Sequence, residues 1–245
     1  MTQEGLLPGE ELVELNCKGL YIIQSKNGYT FTTDAVLLAN FAKAYKGARV
    51  CDLGTGSGVI PTLMSAKTTA KAFVGVELQP RLADSAMRSV ILNNLQERVS
   101  IINADIKGIS QTLGRGAFDI VVSNPPYSPF DGDTTTASET DICKKEVFIT
   151  LSELVREAAK LLKFGGKFYV ILKAERLTDL LCCLRAENLE PKVITPVQPT
   201  PDKSVDTVIV ESLKGGKPPL IMKKPFIVFD ANGSYTPEAA EIYTF

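Results

Sequence analysis

The chain of 245 residues predicts an α/β fold: a seven-stranded, mostly parallel sheet with helices on both faces and an antiparallel last strand. Three observations carry this reading. From residue 49 onward, short apolar runs alternate with helical patterns, as repeated βα units require. A glycine-rich turn, Gly54-Thr55-Gly56-Ser57-Gly58, joins the first of these runs to the first of these helices. The last two apolar runs lie too close to the terminus for another full right-handed unit, so one of them inserts antiparallel.

Residues 11–31 read as a β-hairpin region, with turns near Lys18-Gly19 and Asn27-Gly28. Thr33 or Asp34 caps a helix through Ala35 to Phe41. Arg49 to Leu53 is the first strand of the alternation, and Ser57 to Ala66 is its helix. Phe73 to Glu77 is the second strand. Pro80 opens a helix to Leu92, with proline at the first helical position. Val99 to Ile102 is the third strand, followed by a short helix from Ile109 to Leu113. Phe118 to Ser123 is the fourth. Residues 128–145, rich in Ser, Thr, Asp and Gly, read as a mobile loop long enough for a functional lid. An amphipathic helix runs from Val147 to Leu162 and is ended by Gly165-Gly166. Lys167 to Leu172 is the fifth strand and Leu177 to Ala186 a helix. Val193-Ile194 and Val208-Ile209-Val210 complete the sheet. The organisation expected is an N-terminal hairpin and helix (1–45), a catalytic domain (46–213) and a C-terminal extension (214–245).

Composition narrows the chemistry. There is no histidine, which excludes Ser-His-Asp and Cys-His catalysis and the common His-ligated zinc sites. Five cysteines form no CxxC pair and read as reduced structural thiols. A net charge of −1 gives no global basic field toward nucleic acid, although Lys144-Lys145, Lys173 with Arg176, Lys214 with Lys217, and Lys223-Lys224 are local basic clusters. No apolar run approaches the roughly 20 residues of a membrane span, and the start lacks a secretory pattern, so a cytoplasmic location without membrane partners is expected.

The chemistry gathers at the carboxyl ends of the strands, where open α/β sheets bind ligands. Asn124-Pro125-Pro126-Tyr127 follows the fourth strand. Its two prolines stop that strand and stiffen its exit. The turn presents one amide, one aromatic ring and a carbonyl without a ladder partner. A planar substrate with an NH2 group would stack on Tyr127 and donate to the Asn124 side chain and the Pro125 carbonyl. In the glycine turn, Gly54, Gly56 and Gly58 let a ligand lie against bare backbone. Their spacing departs from the dinucleotide fingerprint, and the preceding Asp52 would repel a pyrophosphate but suits an ammonium group. Glu77, at the end of the second strand, stands where an acid grips ribose hydroxyls, and Asp105 would accept from an adenine amino group. Together they describe a pocket for a nucleoside with a cationic amino-acid tail and no phosphate, which is S-adenosylmethionine.

With these residues in view, the chain resembles the Rossmann-like class I S-adenosylmethionine-dependent methyltransferases, over roughly residues 15–230. Within them it is similar to the group that methylates amines with an Asn-Pro-Pro-Tyr motif. The segments Phe31-Thr32-Thr33-Asp34-Ala35-Val36-Leu37-Leu38, Lys173-Ala174-Glu175-Arg176-Leu177, Lys214-Gly215-Gly216-Lys217-Pro218 and Asp230 to Pro237 resemble the bacterial tRNA1(Val) adenine-N6 methyltransferases. The resemblance implies tRNA as substrate and methylation of adenine 37. It implies catalytic roles for Asn124, Pro125 and Tyr127, cofactor contacts from Thr33, Asp34, Asp52, Gly54, Gly56, Gly58, Glu77, Asp105 and Asn124, and substrate contacts from Tyr127, Phe130, Lys144, Lys145 and Arg176. Two positions depart from the family pattern: Cys143-Lys144-Lys145-Glu146, where members tend to carry an Arg-His-Glu-like stretch, and Ala174, where a proline is usual.

Other readings stay open at this level. Methylation of a guanine amino group in RNA or of a protein glutamine uses nearly the same acceptor chemistry. A methyltransferase-like binding module without activity and a nicotinamide dehydrogenase are further classes, the second disfavoured by the glycine spacing and Asp52. Oligomeric state is not encoded in any motif.

Overall fold

The computed structural model describes residues 6–28, 30–126 and 148–243. Tyr127 and the expected lid, which holds Phe130, Lys144 and Lys145, lie outside the described residues.

Strands β1 (Glu10–Glu14) and β2 (Tyr21–Ser25) form an antiparallel hairpin separate from the main sheet. Its turn uses left-handed backbone at Lys18 and Gly19 (φ 49° and 67°). The hairpin lies on helix α3 (Pro80–Leu92), which caps the β2 edge with side chains. The Ile23 amide donates to Ser89 Oγ (2.9 Å), and Asn93, just past the helix, exchanges hydrogen bonds with the backbone of Tyr21 (3.0 and 2.7 Å). The Arg88 guanidinium grips both oxygens of Glu10 at 2.6 and 2.8 Å. Strand edges leave backbone groups unpaired; here serine and asparagine satisfy them.

The main sheet contains the seven expected strands: β3 (Arg49–Leu53), β4 (Ala72–Glu77), β5 (Val99–Asn103), β6 (Phe118–Ser123), β7 (Leu162–Lys173), β8 (Leu189–Gln198) and β9 (Thr207–Lys214). Their spatial order is β5-β4-β3-β6-β7-β9-β8. The pairings are parallel except at β9, which is antiparallel to both β7 and β8. Two short strands from the tail, β10 (Ile221–Met222) and β11 (Phe226–Ile227), add to β8 in parallel, so the apolar stretch near residue 226 joins the sheet.

Alternate residues of each central strand enter opposite cores, the period-two signature of a sheet covered on both faces. Val50, Ile120 and Tyr169 face one core with α1 (Thr33–Phe41), α2 (Val59–Lys67) and α3. Cys51, Val121 and Val170 face the other, with α4 (Ile109–Leu113), α5 (Leu151–Leu161) and α6 (Leu177–Ala186).

Local chemistry moves several boundaries. Thr32, rather than Thr33 or Asp34, occupies the N-cap of α1. Helix α2 starts at Val59 because Gly58, the last turn glycine, is left-handed (φ 82°). Helix α5 starts at Leu151 because Thr150 and Glu153 form a capping box: the Glu153 amide donates to Thr150 Oγ1 (3.3 Å) and the Thr150 amide to Glu153 Oε2 (2.9 Å). Gly165-Gly166 does not end that helix. The helix stops at Leu161, and the glycines lie inside β7, where the register against β6 slips between Phe118↔Leu162 and Ile120↔Lys167. A Cβ on Gly166 would come within 2.9 Å of the Lys163 carbonyl. Lys214 finishes α5 by donating to the Ala159 and Leu162 carbonyls (2.6 and 2.7 Å). Its basic-cluster reading therefore gives way to a capping one.

The tail ends in α7 (Pro237–Tyr243). It is anchored by an edge-to-face contact between Phe41 and Phe226 (5.3 Å) and by the stack Phe229–Tyr235–Tyr243 (5.0 and 5.1 Å). Among the described residues no helix is long and apolar enough to cross a membrane.

Candidate cofactor and acceptor site

Strand β3 is the point where chain order reverses. From it the chain steps to β4 and β5 on one side and returns to β6 on the other. Crevices at such switch points bind ligands. The glycine turn follows β3, with positive φ at Gly54 (77°), Gly56 (56°) and Gly58 (82°). The Gly54 and Thr55 amides both donate to the Val76 carbonyl at 2.9 Å, tying the turn to β4.

Glu77, at the end of β4 and 6% exposed, anchors the turn further. One oxygen accepts from the Gly56 amide (2.9 Å), the other from the Gln79 amide (2.8 Å). Asn103 supports the same corner by donating to the Glu77 and Leu78 carbonyls, each at 2.9 Å. Thr55 packs into the space left by Gly75, where a Cβ would lie 2.8 Å from Thr55 Oγ1. Asn103 and Gly75 were not singled out from the sequence. Gly75 carried a usable signal, since a glycine inside an apolar strand marks a close approach.

Asp52, in β3 beneath the turn, is 1% exposed. Both its carboxylate oxygens, the Thr55 hydroxyl and the Ser57 hydroxyl are buried without a hydrogen-bond partner among the described residues. Burial pushes the Asp52 carboxyl up to about 7; the neighbouring Thr55 hydroxyl opposes the shift and the negative charge of Glu77 adds to it. Buried polar groups are ordinarily satisfied, so this cluster fits a ligand that brings an ammonium group and further polar atoms.

Asn124 is half-buried and Pro125 buried at the carboxyl end of β6, across the switch point from the glycine turn. Ser123, just before them, donates its hydroxyl to the Leu53 carbonyl at 2.7 Å. Asp105 is exposed beyond β5, and its carboxylate accepts from the Lys107 amide (2.8 Å), a turn-forming contact. Thr33 and Asp34 stand in the first turn of α1 beside Tyr243, whose hydroxyl is pushed up by burial and by the Asp34 charge. Arg176, past the end of β7, pairs with Asp179 (2.9 Å). The structure thus brings together Asp52, Gly54, Gly56, Gly58 and Glu77, with Asn124 and Pro125 at the end of the neighbouring strand β6. A separate groove of about 1410 Å³, between α1, the β7–β9–β8 face and the tail, is lined by none of the expected site residues.

A doubly wound sheet with a glycine turn at its switch point is the architecture in which open α/β proteins bind nucleosides and nucleotides. The chain belongs to the methyltransferase small domain family, whose model matches residues 25–181. It is a methyltransferase, and its cofactor is S-adenosylmethionine. A tRNA1(Val) (adenine(37)-N6)-methyltransferase from Porphyromonas gingivalis is 26% identical over 216 residues, 84% of each chain. The protein of the same name from Haemophilus influenzae is 25% identical over 230 residues, covering 92% of this chain and 94% of its own. Among solved structures, a predicted O-methyltransferase, Atu636 from Agrobacterium tumefaciens, superposes with a TM-score of 0.71 at 21% identity, over 86% of this chain and 95% of that one. This last likeness concerns the fold.

Proposed function

We propose that this chain methylates the N6 amino group of adenine in tRNA, at adenine 37 of tRNA1(Val). The observation that carries the reading is the position of Asn124-Pro125 across the switch point from the turn that Glu77 holds. The relatives named for this reaction match the chain over more than four-fifths of their length.

The chain's own residues divide the work. Asp52, Thr55 and Ser57 would receive the polar amino-acid end of the cofactor, and Glu77 would receive its ribose. Bound there, S-adenosylmethionine supplies an electrophilic methyl group on a sulfonium. The N6 lone pair of adenine is delocalised into the ring, which makes the amine a poor nucleophile. The Asn124 side-chain oxygen and the Pro125 carbonyl would accept hydrogen bonds from its two N–H groups, draw the nitrogen toward tetrahedral geometry and free that lone pair. Tyr127, outside the described residues, would stack on the extruded base, with Phe130 as a second wall. Positioning supplies much of the acceleration. The methyl–sulfur bond would break as the N6–carbon bond forms, and the surplus N6 proton would then leave to water, so no imidazole base is needed, in keeping with a chain that has no histidine. Lys144, Lys145 and Arg176 would contact phosphate, the last after exchanging its Asp179 partner.

The test is incubation of unmodified total tRNA with the protein and labelled cofactor, followed by mass spectrometry of the nucleosides. N6-methyladenosine at position 37 of tRNA1(Val) is expected. N2-methylguanosine would move the reading to a guanine amine. Label appearing only on a protein glutamine would overturn the RNA assignment.

A further inference from the structure

We propose that Ser123 is a positioning residue for methyl transfer: its hydroxyl sets the gap between the cofactor turn and the acceptor motif. This rests on the reading of Asn124-Pro125 as the amine's acceptors.

Strands β3 and β6 pair at Val50↔Ile120, Cys51↔Val121 and Asp52↔Val122, and the ladder goes no further. Two residues later stand Gly54 on one side and Asn124 on the other. Each is fastened to a different neighbour. The Gly54 and Thr55 amides hold the cofactor turn to β4 through the Val76 carbonyl. The acceptor side is held to β7 through the Ser123↔Val170 pairing. The cofactor half and the acceptor half therefore diverge at the switch point. The Ser123 hydroxyl, donated to the Leu53 carbonyl at 2.7 Å, spans that divergence.

Ser123 is fully buried, so water does not compete for this bond. Pro125 has a fixed φ and restricts Asn124 before it to extended backbone, so little rotation is left to absorb a shift between Ser123 and the Pro125 carbonyl. In-line transfer depends steeply on that gap, and a misplacement of about 1 Å can cost on the order of 100-fold in rate. A buried serine that merely satisfies a carbonyl would instead affect stability and leave the rate per folded, cofactor-loaded enzyme unchanged.

The experiment compares wild type with Ser123→Ala and Ser123→Thr. Cofactor affinity is read by calorimetry, stability by thermal melting, and the single-turnover rate at saturating cofactor and acceptor. Crystal structures with S-adenosylhomocysteine give the Leu53–Asn124 spacing. For Ser123→Ala the rate should fall roughly 10- to 100-fold while cofactor affinity stays within about 3-fold, and the spacing should change. Ser123→Thr, which keeps the hydroxyl, should recover most of the rate. A rate for Ser123→Ala within about 3-fold of wild type overturns the proposal, as does a loss matched by equal losses in affinity and stability. If wild type methylates an amine other than tRNA adenine, the tRNA reading fails and the comparison is made on that amine. If wild type methylates none, the crystal spacing decides, and an unchanged spacing in Ser123→Ala overturns the proposal.

Discussion

Glu77 accepts the Gly56 amide at 2.9 Å, so the acid at the end of β4 holds the turn that follows β3. Its second oxygen accepts from Gln79 at the entrance to α3. A carboxylate meets both amides because it is an acceptor on both sides. One side chain therefore ties the glycine turn to the entrance of α3.

Glu77→Gln should already fail. Glutamine can accept from one of the two amides but turns an NH2 toward the other, leaving a buried donor facing a donor. Cofactor affinity should drop roughly 10-fold or more for Glu77→Gln and at least as far for Glu77→Ala, by isothermal titration. Normal affinity in both variants would remove Glu77 from the cofactor site.

With Asp52 receiving the cofactor's ammonium group, as proposed, its buried carboxyl should make cofactor binding pH-dependent. Its pKa is raised to about 7 from 3.8, and a bound ammonium favours the ionised form. Affinity should therefore fall as pH drops below about 7, and binding near neutrality should release protons. Titration in buffers of different ionisation enthalpy reads that release, which Asp52→Asn should abolish. The free protein shows the opposite sign. Because the folded state holds this proton more tightly than the unfolded one, the ionised carboxyl lowers stability progressively as pH rises from about 4 to 7. Asp52→Asn should accordingly raise the melting temperature of cofactor-free protein at pH 8 while weakening cofactor binding.

Asn124→Ala should abolish turnover and leave S-adenosylmethionine affinity within a few-fold, because the side chain is assigned to the acceptor rather than the donor. Pre-steady-state assays alongside calorimetry separate the two. Loss of cofactor binding would refute the assignment.

Gly75→Ala tests the packing under the turn. The new methyl would stand 2.8 Å from Thr55 Oγ1 and 2.9 Å from both Thr55 Cγ2 and Ile101 Cδ1. Such overpacking costs about 1–3 kcal/mol. Cofactor affinity should fall with stability, since the displaced side chain belongs to the turn. Urea titration with and without cofactor measures both.

The Glu10–Arg88 pair pins the hairpin to α3. The Arg88 hydrogen bond is the main influence lowering the Glu10 pKa, with burial opposing it. The stabilisation is complete above the ordinary carboxylate range and is lost as pH falls through the depressed value. Glu10→Gln should cost about 2 kcal/mol at pH 7, the scale of a charge-assisted bond, and much less at pH 3, by denaturant melts at the two pH values.

Much of the sheet was legible because buried parallel strands read as apolar runs bounded by turn residues. Helices α3 and α6 fall on the bounds expected from Pro80 and from the apolar pattern after Arg176. The boundaries that moved did so through side-chain or backbone chemistry invisible to periodicity, such as the Thr150–Glu153 capping box and the register slip at Gly165-Gly166. The site divides likewise. Asp52, Glu77 and Asn124 are polar residues where apolar strands end, so they stand out in one dimension. Ser123 acts through a side-chain hydrogen bond to Leu53, and Asn103 through bonds to Glu77 and Leu78, and only the folded arrangement makes them visible.

The tail runs along β8 as two strands of two residues each, with Lys192 donating to the Lys217 and Pro219 carbonyls that precede them. This covering works as a blunting device: it pairs along β8 between Val193 and Gln198, and its own pieces are too short to template another chain. Removing residues beyond Gly216 would uncover that flank, and the first symptom would be self-association at high concentration.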